Sequence, residues 1–356
     1  YEFAQSHPWP ELWLSEAAEA FNPQEGMDFG ETKWAKVLIK NITIELSGLK
    51  SSLEEALKAC INAEGLEKYT AVMEDELLRL KAMLNTCSSG SWNELYEQFK
   101  TLEFPTMRSG KNADPELKER VKAVRDNVKD SLRKIRDDLV NSSSEEMAED
   151  LLTLYPSVKC LCGLAKDLGD IFAGKKKEKG IIDFNDLEHY CLKILVSRDE
   201  KGEIHPTAAA LDLRERFEEI YIDEYQDSNL TQEVILNIIS REEKGTPNIF
   251  MVGDVKQSIY RFRQAKPELF LKKYGTYSEN TEGKYRKILL YKNFRSREDI
   301  INGANFIFKQ IMSEIAGEIE YTDREALNLG AAFPDCEEDD ASVGGAIELH
   351  IVETKE

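Results

Sequence analysis

Half-way along this chain of 356 residues the spacing of apolar residues changes, which divides it into two parts of different architecture. Up to about residue 172 the spacing is helical. The clearest case begins at Asp114-Pro115, an N-cap followed by proline at the first helical position. Leu117, Val121, Val124, Val128, Leu132, Ile135 and Leu139 then recur at steps of three and four, one apolar stripe on an otherwise charged helix. "NSSSEEMAED" at 141–150 reads as a helix break with a capped restart. Strong β-patterned runs are absent here, and the stripe reads as core rather than as a site.

The second half is built from short runs rich in Ile, Val and Tyr: "IYI" (220–222), "NIFMV" (248–252), "KILLY" (287–291) and "AIELHIV" (346–352). Between them lie helical patterns, Leu230, Val234, Ile235, Ile238 and Ile239 in one and Ile300, Ala304, Ile307, Ile311 and Ile315 in another. Strands alternating with helices predict an α/β domain with a mostly parallel sheet, covered on both faces. Such sheets bind ligands at the carboxyl ends of their strands. The polar clusters "DEYQD" (223–227), "GD" (253–254) and "KNFRSR" (292–297) each follow a strand, so all three are expected along one edge.

Charge sharpens that expectation. The chain carries a net charge of −20, which excludes an overall basic nucleic-acid binder. Between Lys256 and Arg297, however, twelve Lys and Arg face only Glu268, Glu279 and Glu282. A positive island in an acidic chain is a candidate phosphate-binding surface. The six cysteines show no C-x-x-C spacing and the four histidines are isolated, so neither a zinc site nor a disulfide framework is indicated. No apolar run is long enough for a membrane span and no signal peptide opens the chain, so a reducing, cytoplasmic setting is expected.

The predicted edge suits phosphoryl chemistry. Asp223 can hold Mg²⁺, and Glu224 can orient or deprotonate a water. Gln257 can touch both a water and a terminal phosphate, and Arg295 can neutralise charge on a transferred phosphoryl group. An arginine in that role is worth roughly 10³ to 10⁵ in rate. Phe294 can stack on a base. In "SIYRFRQ", Tyr260 and Phe262 alternate with Arg261 and Arg263, the mixture of stacking faces and cations that binds single-stranded nucleic acid.

Taken in this order, the motifs resemble those of the superfamily 1 DNA helicases related to UvrD, Rep and RecB. "YIDEYQDSN" looks like their Walker B motif, and "VGDVKQSIYRFRQA" like the motif that couples ATP to DNA. "LYKNFRSREDI" resembles the motif opening the second motor domain, and "GIIDFNDLEHYCLKIL" (180–195) the segment preceding Walker B. Many relatives have Asp at Lys256, Trp at Phe262, Gly at Gln264 and Tyr at Phe294. The versions found here, and the opening "YEFAQSHPWPELWL", are similar to the AddA branch, the helicase–nuclease subunits that pair with AddB.

The resemblance implies a RecA-like parallel sheet, part of a P-loop motor domain, with a large all-α accessory domain. It places the accessory domain at 1–172, the C-terminal part of the first motor domain at 173–291 and the start of the second at 292–356. It makes Asp223 and Glu224 the magnesium and catalytic carboxylates, and Gln257 the γ-phosphate sensor. Arg295 contacts the γ-phosphate and Phe294 lies near adenine. Tyr260, Phe262 and Arg263 face single-stranded DNA or link it to the nucleotide. ATP and Mg²⁺ are the implied cofactors, and DNA and an AddB-like subunit the implied partners, in double-strand-break repair and recombination. Lys256 leaves the sensor loop more positive than in relatives with an acid.

A phosphate-cradling loop should accompany these carboxylates. The nearest match to G-x-x-x-x-G-K-[ST] is "GDIFAGKK" (169–176), which ends in Lys176 and so lacks the hydroxyl for magnesium. "GKKKEKG" (174–180) reads instead as a flexible basic connection, and in the family the true loop lies N-terminal to these residues. Three readings follow: an internal fragment of an AddA-type enzyme, inert alone; a DNA- or partner-binding module that has lost its motor; and a carboxylate metal nuclease. The nuclease reading leaves "GDVKQSIYRFR" and "KNFRSR" unexplained.

Overall fold

The computed structural model describes residues 1–61, 63–107, 112–333, 347 and 350–352. The chain divides into two compact units. One comprises Tyr1–Gln5 with Trp9–Ile182, the other Ser6–Pro8 with Asp183–Glu356.

The first unit contains helices and no strand among its described residues. It contains α1 (Glu2–Gln5), α2 (Pro10–Glu19), α3 (Lys33–Ile61), α4 (Glu67–Ser89), α5 (Trp92–Lys100), α6 (Pro115–Asp138) and α7 (Ser144–Lys179). The expected start at Asp114-Pro115 is that of α6, where the Asp114 carboxylate accepts from the Glu116 N–H. The restart after "NSS" is the capping box of α7. The Ser143 side chain accepts from the Glu146 N–H, and the Glu146 side chain from the Ser143 N–H.

α3 packs against α4 and α6 around one core. Ile42, Leu46 and Leu53 of α3, Met73 and Leu80 of α4 and Trp92, Leu95 and Phe99 of α5 are almost wholly buried in it. Each such side chain contributes about 1.5–3 kcal/mol. Val121, Val128, Leu132 and Ile135, from the α6 stripe, close that core. Inside it Arg125 of α6 donates through Nε to the Glu76 carboxylate of α4 at 2.9 and 3.0 Å. Arg125 also reaches the Pro105 carbonyl at 2.7 Å.

α7 corrects one expectation. Residues 174–179 are not a flexible connection but its last turns, ending where Gly180 takes a left-handed φ of 63°. Lys and Glu are good helix formers, and the lysines complement the negative end of the helix. "GDIFAGKK" is therefore helical, a conformation in which its backbone N–H groups are committed to the helix.

The second unit contains α8 (Phe184–Leu195), the antiparallel hairpin β1 (Val196–Arg198) and β2 (Ile204–Pro206), and α9 (Ala208–Arg216). There follow β3 (Ile220–Ile222), α10 (Leu230–Ile239), β4 (Ile249–Met251) and α11 (Pro267–Thr276). It ends with β5 (Lys292–Asn293), α12 (Glu298–Ile311), α13 (Glu314–Gly317) and β6 (Asn328–Leu329). β3 and β4 pair in parallel with Ile220 opposite Ile249 and Ile222 opposite Met251; β5 and β6 form a second parallel pair.

The α/β alternation is thus present, but among the described residues the strands form three separate two-stranded sheets rather than one RecA-like sheet. Lys287–Tyr291 carry no strand; Leu290 is exposed, and pairing begins only at Lys292. The strand expected at 346–352 falls largely outside the described residues. α12 stops at Ile311, short of Ile315. It buries Ile301; of the expected stripe, Ile300, Ile307 and Ile311 are exposed and Ala304 is half-buried.

Candidate active site

The parallel register of β3 and β4 brings two of the three polar clusters together. Ile222 lies opposite Met251, so Asp223-Glu224 and Gly253-Asp254 leave the pair at the same end. Backbone bonds continue past the strands: Val252 N–H donates to the Ile222 carbonyl at 2.8 Å, and Tyr225 N–H to the Val252 carbonyl at 2.9 Å. The chain turns sharply between them. Glu224 has a left-handed φ of 49°, an uncommon conformation for a residue with a side chain, and strain of this kind gathers at functional positions.

Asp223 and Glu224 are both exposed. With Asp227, Ser228 and Gln232 they line an open depression floored by Ile222 and Ile235. Asp227 Oδ1 is buried there without a hydrogen-bond partner. Burial, and then the Glu224 charge, push the Asp227 carboxyl above the ordinary range. This donor set consists of hard oxygens, so it fits Mg²⁺ rather than a soft metal.

Behind the carboxylates the support is buried. Tyr225 is 1% exposed and donates to Glu233 of α10, which also receives Lys273 of α11 at 3.1 Å. Burial, then the bond to Glu233, push the Tyr225 phenol far above its usual range. α10 begins at a capping box between Asn229 and Gln232, and both side chains donate to Glu188 of α8. The "DFNDL" segment proves to be the capping box of α8, between Asp183 and Asp186. It anchors the helix that holds α10.

Gln257 sits in a short 3-10 turn, Val255–Gln257, and donates to Asp254 Oδ2 at 3.1 Å. Lys256, expected to make this loop more positive, pairs with Asp254 Oδ1 at 2.8 Å. Burial raises the Asp254 carboxyl, but the bond and charge of Lys256 and the Gln257 amide outweigh it and leave the group below its ordinary range.

Tyr260, Phe262 and Arg263 form a cluster of their own. The two rings lie 5.9 Å apart, and the Arg263 guanidinium is 5.1 Å from one and 5.5 Å from the other. Phe262 is 71% exposed, so its face is available for stacking. The turn closes through Gln264 at a φ of 67°.

Phe294 and Arg295 are also exposed, but they follow β5, whose partner is β6. Among the described residues no hydrogen bond or ion pair joins them to the carboxylates. The third cluster therefore has its own platform. The Asn293 side chain accepts from the Arg295 and Ser296 N–H groups at 2.9 and 2.8 Å, and Gly330 packs against the Phe294 ring.

Residues 111–278 match the family model of the UvrD/REP helicase N-terminal domain. That stretch is similar to the UvrD/Rep helicase family. The chain is similar over nearly its whole length to members of that family named as the AddA component of an ATP-dependent helicase/nuclease. It is 49% identical to the one from Ruminiclostridium cellulolyticum over 356 residues, covering 99% of this chain and 28% of the relative. The relative from Acetivibrio thermocellus is 49% identical, covering 100% and 29%. That from Clostridium acetobutylicum is 48% identical, covering 100% and 28%. The chain thus spans under a third of the length of these curated relatives. No described helix is long and apolar enough to cross a membrane.

The residue that sequence reading passed over is Gln226. It is 1% exposed and bonds both to Glu224 and to the start of the Gln257 loop. A neutral residue inside an acidic motif carries no signal of its own, and its main-chain partner Asp254 follows another strand.

Proposed function

We propose that this chain forms part of an ATP-driven DNA motor of the AddA type, which couples hydrolysis to movement along single-stranded DNA and to unwinding during double-strand-break repair. The observation that supports it most is the pair of parallel strands ending side by side in Asp223-Glu224 and Gly253-Asp254, with Gln257 on the turn that follows. In this reading Asp223 holds Mg²⁺, Glu224 orients and deprotonates the attacking water, and Gln257 senses the terminal phosphate. Bound Mg²⁺ supplies neutralising charge at the phosphates. Arg295 contacts the γ-phosphate, Phe294 stacks near adenine, and the Tyr260–Arg263–Phe262 cluster receives DNA bases.

The helical unit serves as an accessory domain, the residues from 173 to 291 as part of the first motor domain, and those from 292 as the start of the second. An AddB-like subunit is the proposed protein partner. No G-x-x-x-x-G-K-[ST] motif occurs within residues 1–356, so this chain alone is expected not to turn over ATP. That absence also favours a second reading, a DNA- or partner-binding module without hydrolysis.

The test is Glu224→Gln in the complete gene product. Loss of general-base assistance is expected to lower DNA-stimulated ATP hydrolysis by about 10²- to 10⁴-fold while ATP binding persists. Undiminished turnover in the variant sinks the role of Glu224, and a wild-type protein without turnover leaves the binding module standing.

A further inference from the structure

Resting on that reading, we propose that Gln226 is the positioning residue that ties the catalytic carboxylate Glu224 to the phosphate-sensing loop. Its side chain bridges two segments that meet only in the fold. Nε2 donates to Glu224 Oε2 at 2.7 Å and, more weakly, to Asp227 Oδ2 at 3.5 Å. Oε1 accepts from the Asp254 N–H at 3.0 Å. Asp254 in turn accepts from Gln257 Nε2 at 3.1 Å. The path from sensor to carboxylate is therefore Gln257, Asp254, Gln226, Glu224.

The amide orientation is settled by its neighbours. Turning it over would oppose two donors at Asp254 and two acceptors at Glu224. Glutamine suits this place because it offers one donor and one acceptor at once. Glutamate has no donor and adds a third negative charge, and methionine has the length but neither function. Space is shaped to the same end. A Cβ on Gly253 would lie 2.5 Å from Gln226 Oε1, so the glycine lets β4 approach closely enough for the bond to Asp254. A movement of the 254–257 loop is thereby transmitted to the Glu224 carboxylate, and the Tyr225–Glu233–Lys273 contacts hold the backbone of Gln226 against a fixed base.

Two variants in the complete gene product separate the two bonds. Gln226→Glu keeps the acceptor for Asp254 and loses the donor to Glu224. Its kcat for ATP is expected to fall about 10- to 100-fold, the usual effect of losing an orienting partner. KM for ATP should be retained, but the ratio of DNA-stimulated to basal hydrolysis, which needs the bond to Glu224, should fall towards one. Gln226→Met loses both bonds, so the same fall in kcat and in that ratio should appear, and the two variants then differ at the Asp254 amide. Gln226→Met with wild-type kcat and stimulation overturns the proposal, as does a parallel loss of kcat, KM and melting temperature in both variants, which marks a packing role.

Hydrogen exchange of the Asp254 amide in this chain adds a readout independent of turnover. Protection is expected in the wild type and Gln226→Glu and lost in Gln226→Met; protection surviving in Gln226→Met also overturns the proposal. A wild-type gene product without DNA-stimulated hydrolysis removes the motor reading itself, a failure distinct from that of an active enzyme indifferent to Gln226.

Discussion

In the helical unit, side chains from α3, α4, α5 and α6 converge on one core in which Trp92, Leu95 and Phe99 are completely buried. Around the β1–β4 segment of the second unit the buried apolar cluster is Leu195, Ala210 and Ile238. There the strands turn large apolar faces outward: Tyr221 is 70% and Phe250 50% exposed. Parallel strands are ordinarily covered on both faces, so β3 and β4 are stabilised less by their own packing than the helices are. Asp223 and Glu224, the proposed metal and water ligands, follow β3 on this thinly packed part. The helical unit contributes stability, and the second unit gathers reactive groups on short strands and turns whose positions depend on a few buried polar contacts.

The largest effect expected to test this contrast is in the helical unit. Arg125→Leu leaves the Glu76 carboxylate buried without its counter-ion, at a cost of about 3–5 kcal/mol. Adding Glu76→Leu removes the stranded charge and should restore most of that stability, since well-packed apolar pairs commonly match buried ion pairs. Urea unfolding followed by helical circular dichroism reads both variants. No recovery in the double variant would assign the stability to the bond with the Pro105 carbonyl, not to the ion pair.

How much of this could be read beforehand differs by element. Helix starts were readable because caps are local: Asp114-Pro115 and Ser143-x-x-Glu146 state their own hydrogen bonds. The convergence of Asp223 and Asp254 was readable from strand polarity, because parallel strands present their carboxyl ends together. The continuation of α7 through "KKKEK" was not, since a run of lysines looks alike in a linker and in a helix end. "KILLY" misled by composition; Ile288, Leu290 and Tyr291 are exposed and pairing waits until Lys292. Which face α12 buries depends on Asn305, whose side chain holds the Leu327 backbone, and no periodicity reports that. The roles given to Lys256 and Gln226 depend on Asp254, a partner that only the folded strands bring near.

A smaller effect is expected at the Tyr260–Phe262–Arg263 cluster. If exposed aromatics here serve binding and not stability, Phe262→Ala should weaken single-stranded DNA binding by about 1–3 kcal/mol, the worth of one stacked base. Its melting temperature should not move, because the ring is 71% exposed. Fluorescence anisotropy with an oligothymidine at fixed low salt checks the affinity, and calorimetry the stability. Unchanged affinity with a lowered melting temperature would make Phe262 a packing residue and erase the contrast at this position.

The smallest effect concerns backbone conformation. In the helical unit the left-handed caps of α4 and α7 are Gly90 and Gly180, which adopt that conformation at little cost. In the second unit Glu224, Gln264 and Glu318 adopt it with full side chains, at φ of 49°, 67° and 61°. A left-handed residue with a Cβ costs about 1–2 kcal/mol, and glycine's extra freedom in the unfolded chain returns about half of that. Gln264→Gly is therefore expected to stabilise the second unit by about 0.5–1 kcal/mol, read as a shift in its urea midpoint with the helical unit unmoved. The exchange should be mild at Gln264, where the turn and not the side chain closes the aromatic cluster. At Glu224 the same relief removes the carboxylate, so strain and chemistry cannot be separated there. A fall in stability on Gln264→Gly would mean that the glutamine side chain holds the turn.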